Sequence, residues 1–294
     1  MSTQAVGDLR QRSYSRKILA NKIFRTIICI LLCLLSILPF YLMIINATRE
    51  SKAIEAGIAF LPSGNFVNNW NALMAKSDGI GITVWGSMLN SAIITIPATI
   101  LTIYFSTMTA YGVFAYNFKG KKFAWAFIMA IMMVPGQVTI VGFLQFMQNI
   151  GLYDNYIPLI IPAIAAPSTV FFMRQYMTGA FSLEIIEAAR IDGANEFRTF
   201  NTIALPLMKP ALATQAIFAF IASWNNLFTP SMLISSTNKS TLPMFVQILR
   251  TEQFTTDYGA IYLGLFVTVV PIIVVYLILS KYIVAGVALG GVKE

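Results

Sequence analysis

Long stretches without Asp, Glu, Lys or Arg dominate the hydrophobic pattern of this 294-residue chain. Six apolar segments, with charge only near their ends, reach the roughly 20 residues that a helix needs to cross a bilayer. They run approximately over residues 26–47, 87–116, 123–148, 156–177, 210–235 and 260–281. In hydrocarbon, each backbone N–H and C=O must be paired within its own segment. We therefore predict an all-α integral membrane protein with six transmembrane helices.

Prolines interrupt two of the predicted spans. The fourth span contains Pro158, Pro162 and Pro167, so we expect it to be kinked or to start late. In the third span, Pro135 comes two residues before Gln137 and marks a break. Broken helices in transporters often line the solute path.

Charge is scarce, and its placement predicts an orientation. Only 11% of the residues are charged, whereas a soluble domain has about 25%. With the N-terminus inside, 15 of the 20 basic residues fall in the inner segments or at the inner end of the fourth span. Because Lys and Arg are enriched in cytoplasmic loops, we predict that both termini are cytoplasmic. The net charge of +8 is thus explained by membrane orientation, and we expect no nucleic acid partner.

The middle of each predicted span lacks charged residues. Ion-coupled carriers usually need buried carboxylates or basic groups, although a Na⁺ site made of carbonyls would escape this test. The chain has no G-x-x-x-x-G-K-[ST] phosphate loop and no histidine. We therefore expect a transport protein and not an enzyme, with no catalytic residues, no metal site and no cofactor of its own. Its energy would come from a partner, and an ion-coupled secondary carrier is the alternative.

The inner segment 178–209 differs from the other loops because its pattern predicts a helix, a corner and a second helix. Ser182 is a plausible N-cap of the first helix, and Gly193 can end that helix in the left-handed conformation. Asn195 can cap the second helix. The residues expected on one face of this second helix are Phe197, Phe200 and Ala204.

Two small residues, Ala188 and Ala189, lie at the centre of the first of these helices, and charged residues surround them. Such a helix suits insertion into a groove on another protein. The alternative is a helix that lies on the membrane surface. The mixed charge argues against it, because surface-binding helices are usually rich in Lys and Arg.

The loop reads E-A-A-R-I-D-G-A from Glu187 to Ala194, and I-x-L-P follows from Ile203 to Pro206. This pattern resembles the EAA loop of ABC-importer permeases, and its extended form resembles the carbohydrate importers of the maltose-permease type. The resemblance implies a type I ABC importer permease architecture, with a permease domain over 26–281 between an N-terminal cytoplasmic segment, 1–25, and a tail, 282–294. It implies a bacterial cell-membrane subunit that forms part of the path by which a sugar crosses the membrane. An ABC permease for a non-sugar solute is the alternative.

The same resemblance implies partners and coupling residues. The partners are a second permease subunit, two ATPase subunits that bind the ATP, an extracytoplasmic solute-binding protein, the sugar and membrane lipid. The residues that would dock on the ATPase are Glu187, Ala188, Ala189, Asp192 and Gly193. The outer segment 47–86 would contact the binding protein, or else simply cap the helices. The glycine-containing tail would reach into the ATPase interface, or else be a frayed terminus.

Polar and aromatic residues near the middle of the spans are candidates for solute contact. The fifth span carries Trp224, Asn225 and Asn226 in succession. Sugars stack their C–H faces on aromatic rings and pair their hydroxyls with amides. Asn90 and Gln137 are further candidates in the second and third spans. The alternative for each is that it joins helices within the bilayer.

Overall fold

The computed structural model describes residues 3–251 and 257–290, and these residues form helices and connecting loops. The α-helices of these ranges are α1 (Thr3–Ala47), α2 (Ser51–Glu55), α3 (Phe66–Ile80), α4 (Val84–Ala115), α5 (Lys121–Met132), α6 (Gly136–Asn149), α7 (Ile157–Ile160), α8 (Pro167–Ala180), α9 (Leu183–Ile191), α10 (Glu196–Thr199), α11 (Leu205–Leu207), α12 (Lys209–Trp224), α13 (Phe228–Leu233), α14 (Leu242–Thr251) and α15 (Tyr258–Gly290). The remaining helical turns are 3₁₀ turns at Ile161–Ile164 and Thr237–Lys239 and a π-helical turn at Phe200–Ala204.

In the described part of the chain, four helical segments are long and apolar enough to cross a membrane. They are Asn21–Ala47 in α1, Val84–Ala115, Ile157–Ala180 and Tyr258–Tyr282 in α15. Two further candidates are helix pairs bent at a short break. These are α5 with α6, bent by 95°, and Glu196–Leu207 with Lys209–Trp224, bent by 82°. Counting each bent pair as one span gives up to six spans.

Proline positions explain the two irregular spans. Pro135 precedes α6 directly, and α5 has already ended at Met132. The break predicted in the third span is thus confirmed. The fourth span is divided into α7, the 3₁₀ turn and α8, which begins at Pro167. The predicted kink is confirmed as well, since a proline lacks the N–H that a continuing helix requires.

The fifth span ends earlier than the sequence predicts. The apolar pattern predicts a helix to residue 235, but α12 ends at Trp224 and a separate helix, α13, begins at Phe228. Asn226 lies at the break, and its side-chain oxygen accepts a hydrogen bond from the Thr229 amide at 3.2 Å. Asn side chains compete in this way with the backbone bonds of a helix, which explains why the predicted continuous span is wrong.

The described residues group into two compact units, and the first comprises residues 3–71 and 257–266. In this unit the Asn69 amide, which is buried, donates to the carbonyls of Ala47 at 2.8 Å and Arg49 at 2.9 Å. The Arg49 guanidinium donates to the carbonyls of Ala53 and Gly57. The bonds from Asn69 satisfy carbonyls at and just beyond the end of α1, which a helix leaves without internal partners. The bonds from Arg49 hold α2 and the residues after it.

The second unit comprises residues 72–251 and 267–290. Its helix α4 packs against α8 and α12. Residues of the loop 178–209 join α4, α8 and α12 in a core of buried side chains that share apolar surface. These side chains are Ala110, Tyr111, Val170, Met173, Met177, Ile186, Phe200, Ala204, Met208 and Ala211. The core fixes the loop over residues 178–209 to the C-terminal part of α4 and to α8.

Both ends of the predicted permease domain lie within helices. Helix α1 runs without interruption from Thr3 into the first span, and α15 continues past residue 281 to Gly290. Residues 291–294 of the predicted tail, including Gly291, lie outside the described residues. The most apolar stretch of α1 has no buried residue. Such a surface fits lipid or another membrane subunit.

Candidate functional site: coupling loop and solute cavity

The inner loop over residues 178–209, here called the coupling loop, has the local structure that its sequence predicts. The Ser182 hydroxyl accepts a hydrogen bond from the Glu184 amide at 3.2 Å, which caps α9. Gly193 ends the helix with a φ of +77°. Its N–H donates to the Arg190 carbonyl, and the Ala194 N–H donates to the Ala189 carbonyl, each at 3.0 Å. This pair of bonds forms a Schellman motif.

The second helix of the loop begins at the predicted residue, but the three residues expected on one face are not all buried. Asn195 accepts a hydrogen bond from the Arg198 amide at 2.8 Å and caps α10. Phe200 and Ala204 are buried in the core, as expected, but Phe197 is 68% exposed. The prediction that Phe197 shares their buried face is wrong. It lies in the first turn after the corner, whereas Phe200 and Ala204 belong to the π-helical turn that enters the core.

The five predicted docking residues divide between surface and core. Glu187, Ala188, Asp192 and Gly193 are exposed, whereas Ala189 is buried. Ala189 therefore anchors α9 to the protein and is not available to a partner in this conformation. The sequence analysis missed two large apolar side chains on the exposed side, Ile191 and Phe197. Ile191 is 86% exposed, and its place between Arg190 and Asp192 in a polar segment is the signal that could have indicated it.

A polar cluster joins the coupling loop to the inner end of α4. One Glu196 carboxylate oxygen accepts from Arg190 Nε at 2.6 Å, and the other accepts from the Tyr116 hydroxyl at 2.5 Å. The hydrogen bond from Arg190 holds the pKa of Glu196 below its usual value. Burial and the bond to Glu196 raise the pKa of Tyr116 to about 12. At neutral pH the carboxylate is therefore ionised and the Tyr116 hydroxyl carries its proton.

A cavity of about 800 Å³ lies between α4, α6, α8 and α12. Its polar lining consists of hydroxyl and amide side chains. These are Ser91, Thr95, Thr102, Thr139, Ser168, Thr169, Gln215, Ser223, Asn226, Thr229 and Thr241. Its aromatic lining is Phe143, Phe218 and Trp224. Among the described lining residues none carries a formal charge.

The structure places two of the five predicted solute contacts at this cavity, Trp224 and Asn226. Trp224 is buried, its ring stacks on Phe220 with the centroids 5.4 Å apart, and its indole N–H donates to the Thr268 carbonyl at 3.0 Å. The position of the ring is therefore fixed. The side-chain oxygen of Asn226 also accepts the hydrogen bond from the Thr229 amide.

The other three predicted contacts lie elsewhere. Asn90 donates both of its amide hydrogens, to the carbonyls of Asn238 at 2.8 Å and Ser240 at 3.0 Å. Asn225 and Gln137 are exposed side chains at the end of α12 and the start of α6. None of the three is among the described residues that line the cavity.

The sequence analysis missed most of the hydroxyl groups in the lining. Thr95 and Thr102 of α4 each lie between two apolar neighbours in the sequence, and one turn separates Thr95 from Ser91. Only this spacing on one helix face could have indicated them. Thr241 lines the same cavity, and its hydroxyl is buried without a hydrogen-bond partner among the described residues.

Asp154 holds the loop that follows α13. Its carboxylate accepts hydrogen bonds from the amides of Ser235 and Ser236, each at 2.9 Å, and from Lys239 Nζ at 2.8 Å. These donors, Lys239 first, hold the pKa of Asp154 well below its usual range. Within the described ranges, no group of three His, Cys, Asp or Glu side chains is placed to hold a metal ion.

A family model described as "Binding-protein-dependent transport system inner membrane component" matches residues 102–288. The chain is 34% identical over 262 residues to an arabinooligosaccharides transport system permease protein of Halalkalibacterium halodurans, covering 88% of this chain and 92% of that protein. It is 28% identical to a lactose transport system permease protein of Rhizobium radiobacter, covering 88% and 92%. It is also 28% identical to an sn-glycerol-3-phosphate transport system permease protein of Salmonella typhimurium, covering 84% and 89%.

A solved structure has the same fold. It is a chain in the crystal structure of a bacterial ABC transporter involved in the import of the acidic polysaccharide alginate. The TM-score is 0.75, the sequence identity is 23%, and the likeness covers 90% of this chain and 97% of that chain. At this identity the likeness concerns the fold.

Proposed function

Because the chain belongs to the family of inner membrane components of binding-protein-dependent transport systems, we propose that it is the permease subunit of an ATP-driven importer for neutral oligosaccharides. Members of this family are multi-pass membrane transport subunits and not enzymes, and they work with a separate ATPase and a binding protein. The resemblance of the coupling loop to carbohydrate-importer permeases and the all-α ABC permease architecture are thus confirmed.

One observation carries the choice of solute: the 34% identity to a permease whose name specifies arabinooligosaccharides. The cavity supports this choice. Its hydroxyl, amide and aromatic side chains match a sugar's hydroxyls and C–H faces. Phosphate or carboxylate groups favour Arg or Lys as partners, and the described lining residues carry no formal charge. A neutral sugar therefore fits better than a sugar phosphate or a uronic acid polymer.

Coupling to the ATPase would take place through the exposed side of the coupling loop. The surface formed by Glu187, Ala188, Asp192, Ile191 and Phe197 combines charge with apolar area. An interface core favours apolar groups inside a polar rim. In the proposed complex, this surface enters a groove of one of two ATPase subunits, which bind the ATP, and a second permease completes the solute path. Closure of the ATPases would then move the membrane helices as rigid bodies.

The same proposal includes the orientation of the chain in the membrane. The inner segments hold most of the basic residues, which supports cytoplasmic termini, with the segment 1–25 and the tail 282–294 on the inner side. In the outer segment 47–86, Ile58 and Leu61 are almost fully exposed apolar side chains. Single exposed apolar residues are common, but a neighbouring pair supports contact with the extracytoplasmic binding protein.

Uptake in a strain that lacks this gene tests the solute. Radiolabelled arabinotriose, lactose and glycerol 3-phosphate are supplied in separate assays, with and without an ionophore that collapses the ion gradients. We expect plasmid-borne wild-type chain to restore uptake of a neutral sugar, in the presence of ionophore, as long as ATP remains. Restored uptake of glycerol 3-phosphate alone would contradict the neutral-sugar assignment. Loss of uptake with the ionophore at full ATP would indicate an ion-coupled carrier instead.

Coupling variants test the proposed surface. We expect Gly193→Asp, Glu187→Lys and Ile191→Glu to abolish uptake while the chain still reaches the membrane at wild-type level. The control is Glu184→Gln, which neutralises an exposed carboxylate of the same helix and should leave uptake unchanged. Normal uptake by all three variants would count against the coupling surface.

A further inference from the structure

We propose that Glu196 is a positioning residue for ATP-driven transport: its carboxylate joins the coupling loop to α4, so that these elements move together when the ATPase acts. The inference rests on the proposed function, since it requires a partner that displaces the loop. Glu196, Arg190 and Tyr116 are not among the five residues predicted to dock on the ATPase.

The two oxygens of this carboxylate bind donors from different elements. Oε1 accepts from Arg190 of α9 at 2.6 Å, and Oε2 accepts from Tyr116 at 2.5 Å, directly after α4. The Tyr111 hydroxyl of α4 lies 3.5 Å from the same Oε2. Glu196 itself is the first residue of α10. A single side chain of α10 thus contacts both α9 and the C-terminal end of α4.

The corner of the loop makes this arrangement possible. Gly193 reverses the chain in its left-handed conformation, and Asn195 starts α10. As a result, Arg190 and Glu196 face each other although six residues separate them in sequence. The Arg190 guanidinium also lies over the Tyr116 ring, 5.4 Å from its centroid, which is within the range of a cation–π contact. All three side chains therefore contact one another.

Helix α4 extends from this cluster to the cavity. It runs as one helix from Val84 to Ala115 with Pro97 inside it. Its side chains at Ser91, Thr95 and Thr102 line the cavity, and Thr102 lies between Pro97 and the cluster. Packed helices transmit displacement as rigid elements and deform little. A shift of α9 that is passed to the inner end of α4 would therefore move one wall of the cavity.

The cluster is too exposed to serve mainly as a stabiliser of the fold. The Arg190 and Glu196 side chains are 35% and 42% exposed, and exposed ion pairs contribute little to stability. The core around Ile186 and Phe200 already holds the loop to the protein. The carboxylate adds hydrogen bonds between the loop and the end of α4. Its loss should therefore change the sugar imported per ATP more than the stability of the fold.

The test uses the complete importer, with its ATPases, second permease and binding protein, reconstituted in proteoliposomes. The probe is the radiolabelled sugar that wild-type chain takes up in the experiment above, and the readout is sugar imported per ATP hydrolysed. For Glu196→Gln and for Tyr116→Phe we expect this ratio to fall several-fold, while ATPase co-purification and the melting temperature stay at wild-type values. The double variant should be no worse than Glu196→Gln alone. Glu184→Gln is the matched control.

A rescue experiment separates positioning from a merely structural role. In a background with Cys29→Ser and Cys33→Ser, Tyr116→Cys and Glu196→Cys are combined and joined with a short bifunctional thiosulfonate. If the two positions move together, the cross-link should restore the ratio that the unlinked variant has lost. Reduction of the cross-link should abolish it again.

Three results would overturn the proposal. They are an unchanged ratio in both single variants, a loss of ATPase co-purification in parallel with the ratio, and inhibition by the cross-link. Failure of the proposed function is visible separately, because wild-type proteoliposomes would then show no ATP-dependent uptake before any variant is compared.

Discussion

The replacement of Gly259 by alanine tests the packing of the first unit most directly. Gly259 lies in the first turn of α15. A Cβ added there would lie 2.4 Å from Oδ1 of Asn69 and 2.5 Å from both its Cγ and its Nδ2. These distances are too short for any non-bonded contact, so the Asn69 amide would have to move. It is buried and donates to the carbonyls of Ala47 and Arg49.

The expected cost follows from these two hydrogen bonds. A buried acceptor that loses its partner costs about 1–3 kcal/mol, so two carbonyls give about 2–6 kcal/mol. Alanine in place of glycine inside a helix returns up to about 1 kcal/mol. We therefore expect Gly259→Ala to lower the free energy of unfolding by about 1–6 kcal/mol. Gly112→Ala in α4 is the matched control, because a Cβ there meets nothing within 4 Å.

The assay is denaturant or thermal unfolding of the purified importer in detergent, with a double-mutant cycle. Once Asn69→Ala has removed the amide, the added Cβ at Gly259 has nothing to displace. The double variant should therefore be no less stable than Asn69→Ala alone. The reasoning is refuted if Gly259→Ala is as stable as wild type. It is also refuted if the two single effects simply add.

Three further predictions follow from other parts of the fold. Because Lys239 holds the pKa of Asp154 below its usual value of 3.8, the carboxylate's stabilisation is complete above about pH 4 and is lost as the pH falls below that value. Asp154→Asn should therefore lower the melting temperature at pH 7 and flatten its acid decline, and an unchanged pH profile would contradict this. Trp224→Phe removes the indole hydrogen bond to the Thr268 carbonyl and should lower the free energy of unfolding by about 0.5–1.5 kcal/mol, whereas an unchanged free energy of unfolding would contradict this. At Gly193, with its φ of +77° and open space around it, alanine should cost about 1 kcal/mol and asparagine less, and an equal cost in the same unfolding assay would argue against the left-handed conformation.

Features that depend on a few neighbouring residues could be predicted from the sequence. Pro135 breaks the third span because it lacks an N–H, and Gly193 ends α9 because it alone tolerates the left-handed conformation without strain. The caps at Ser182 and Asn195 are equally local, since each side chain reaches an amide within three residues. The length of the apolar stretches predicted the membrane spans in the same way.

Side-chain direction within the site could not be predicted, because periodicity does not reveal which helix covers which face. Ala188 and Ala189 are adjacent and identical, yet only Ala189 packs into the core. Asn90 had the character of a solute contact, but the neighbouring loop takes both of its amide hydrogens. Thr95, five residues further along α4, lines the cavity instead.

The sequence by itself determined that this chain spans a membrane and that its third and fourth spans are interrupted. These properties follow from lipid solvation and from local backbone chemistry. The tertiary structure alone decided the composition of the cavity wall and the contact of Glu196 with both Arg190 and Tyr116. Both depend on helices far apart in sequence, whose relative rotation is set by the packing of whole faces.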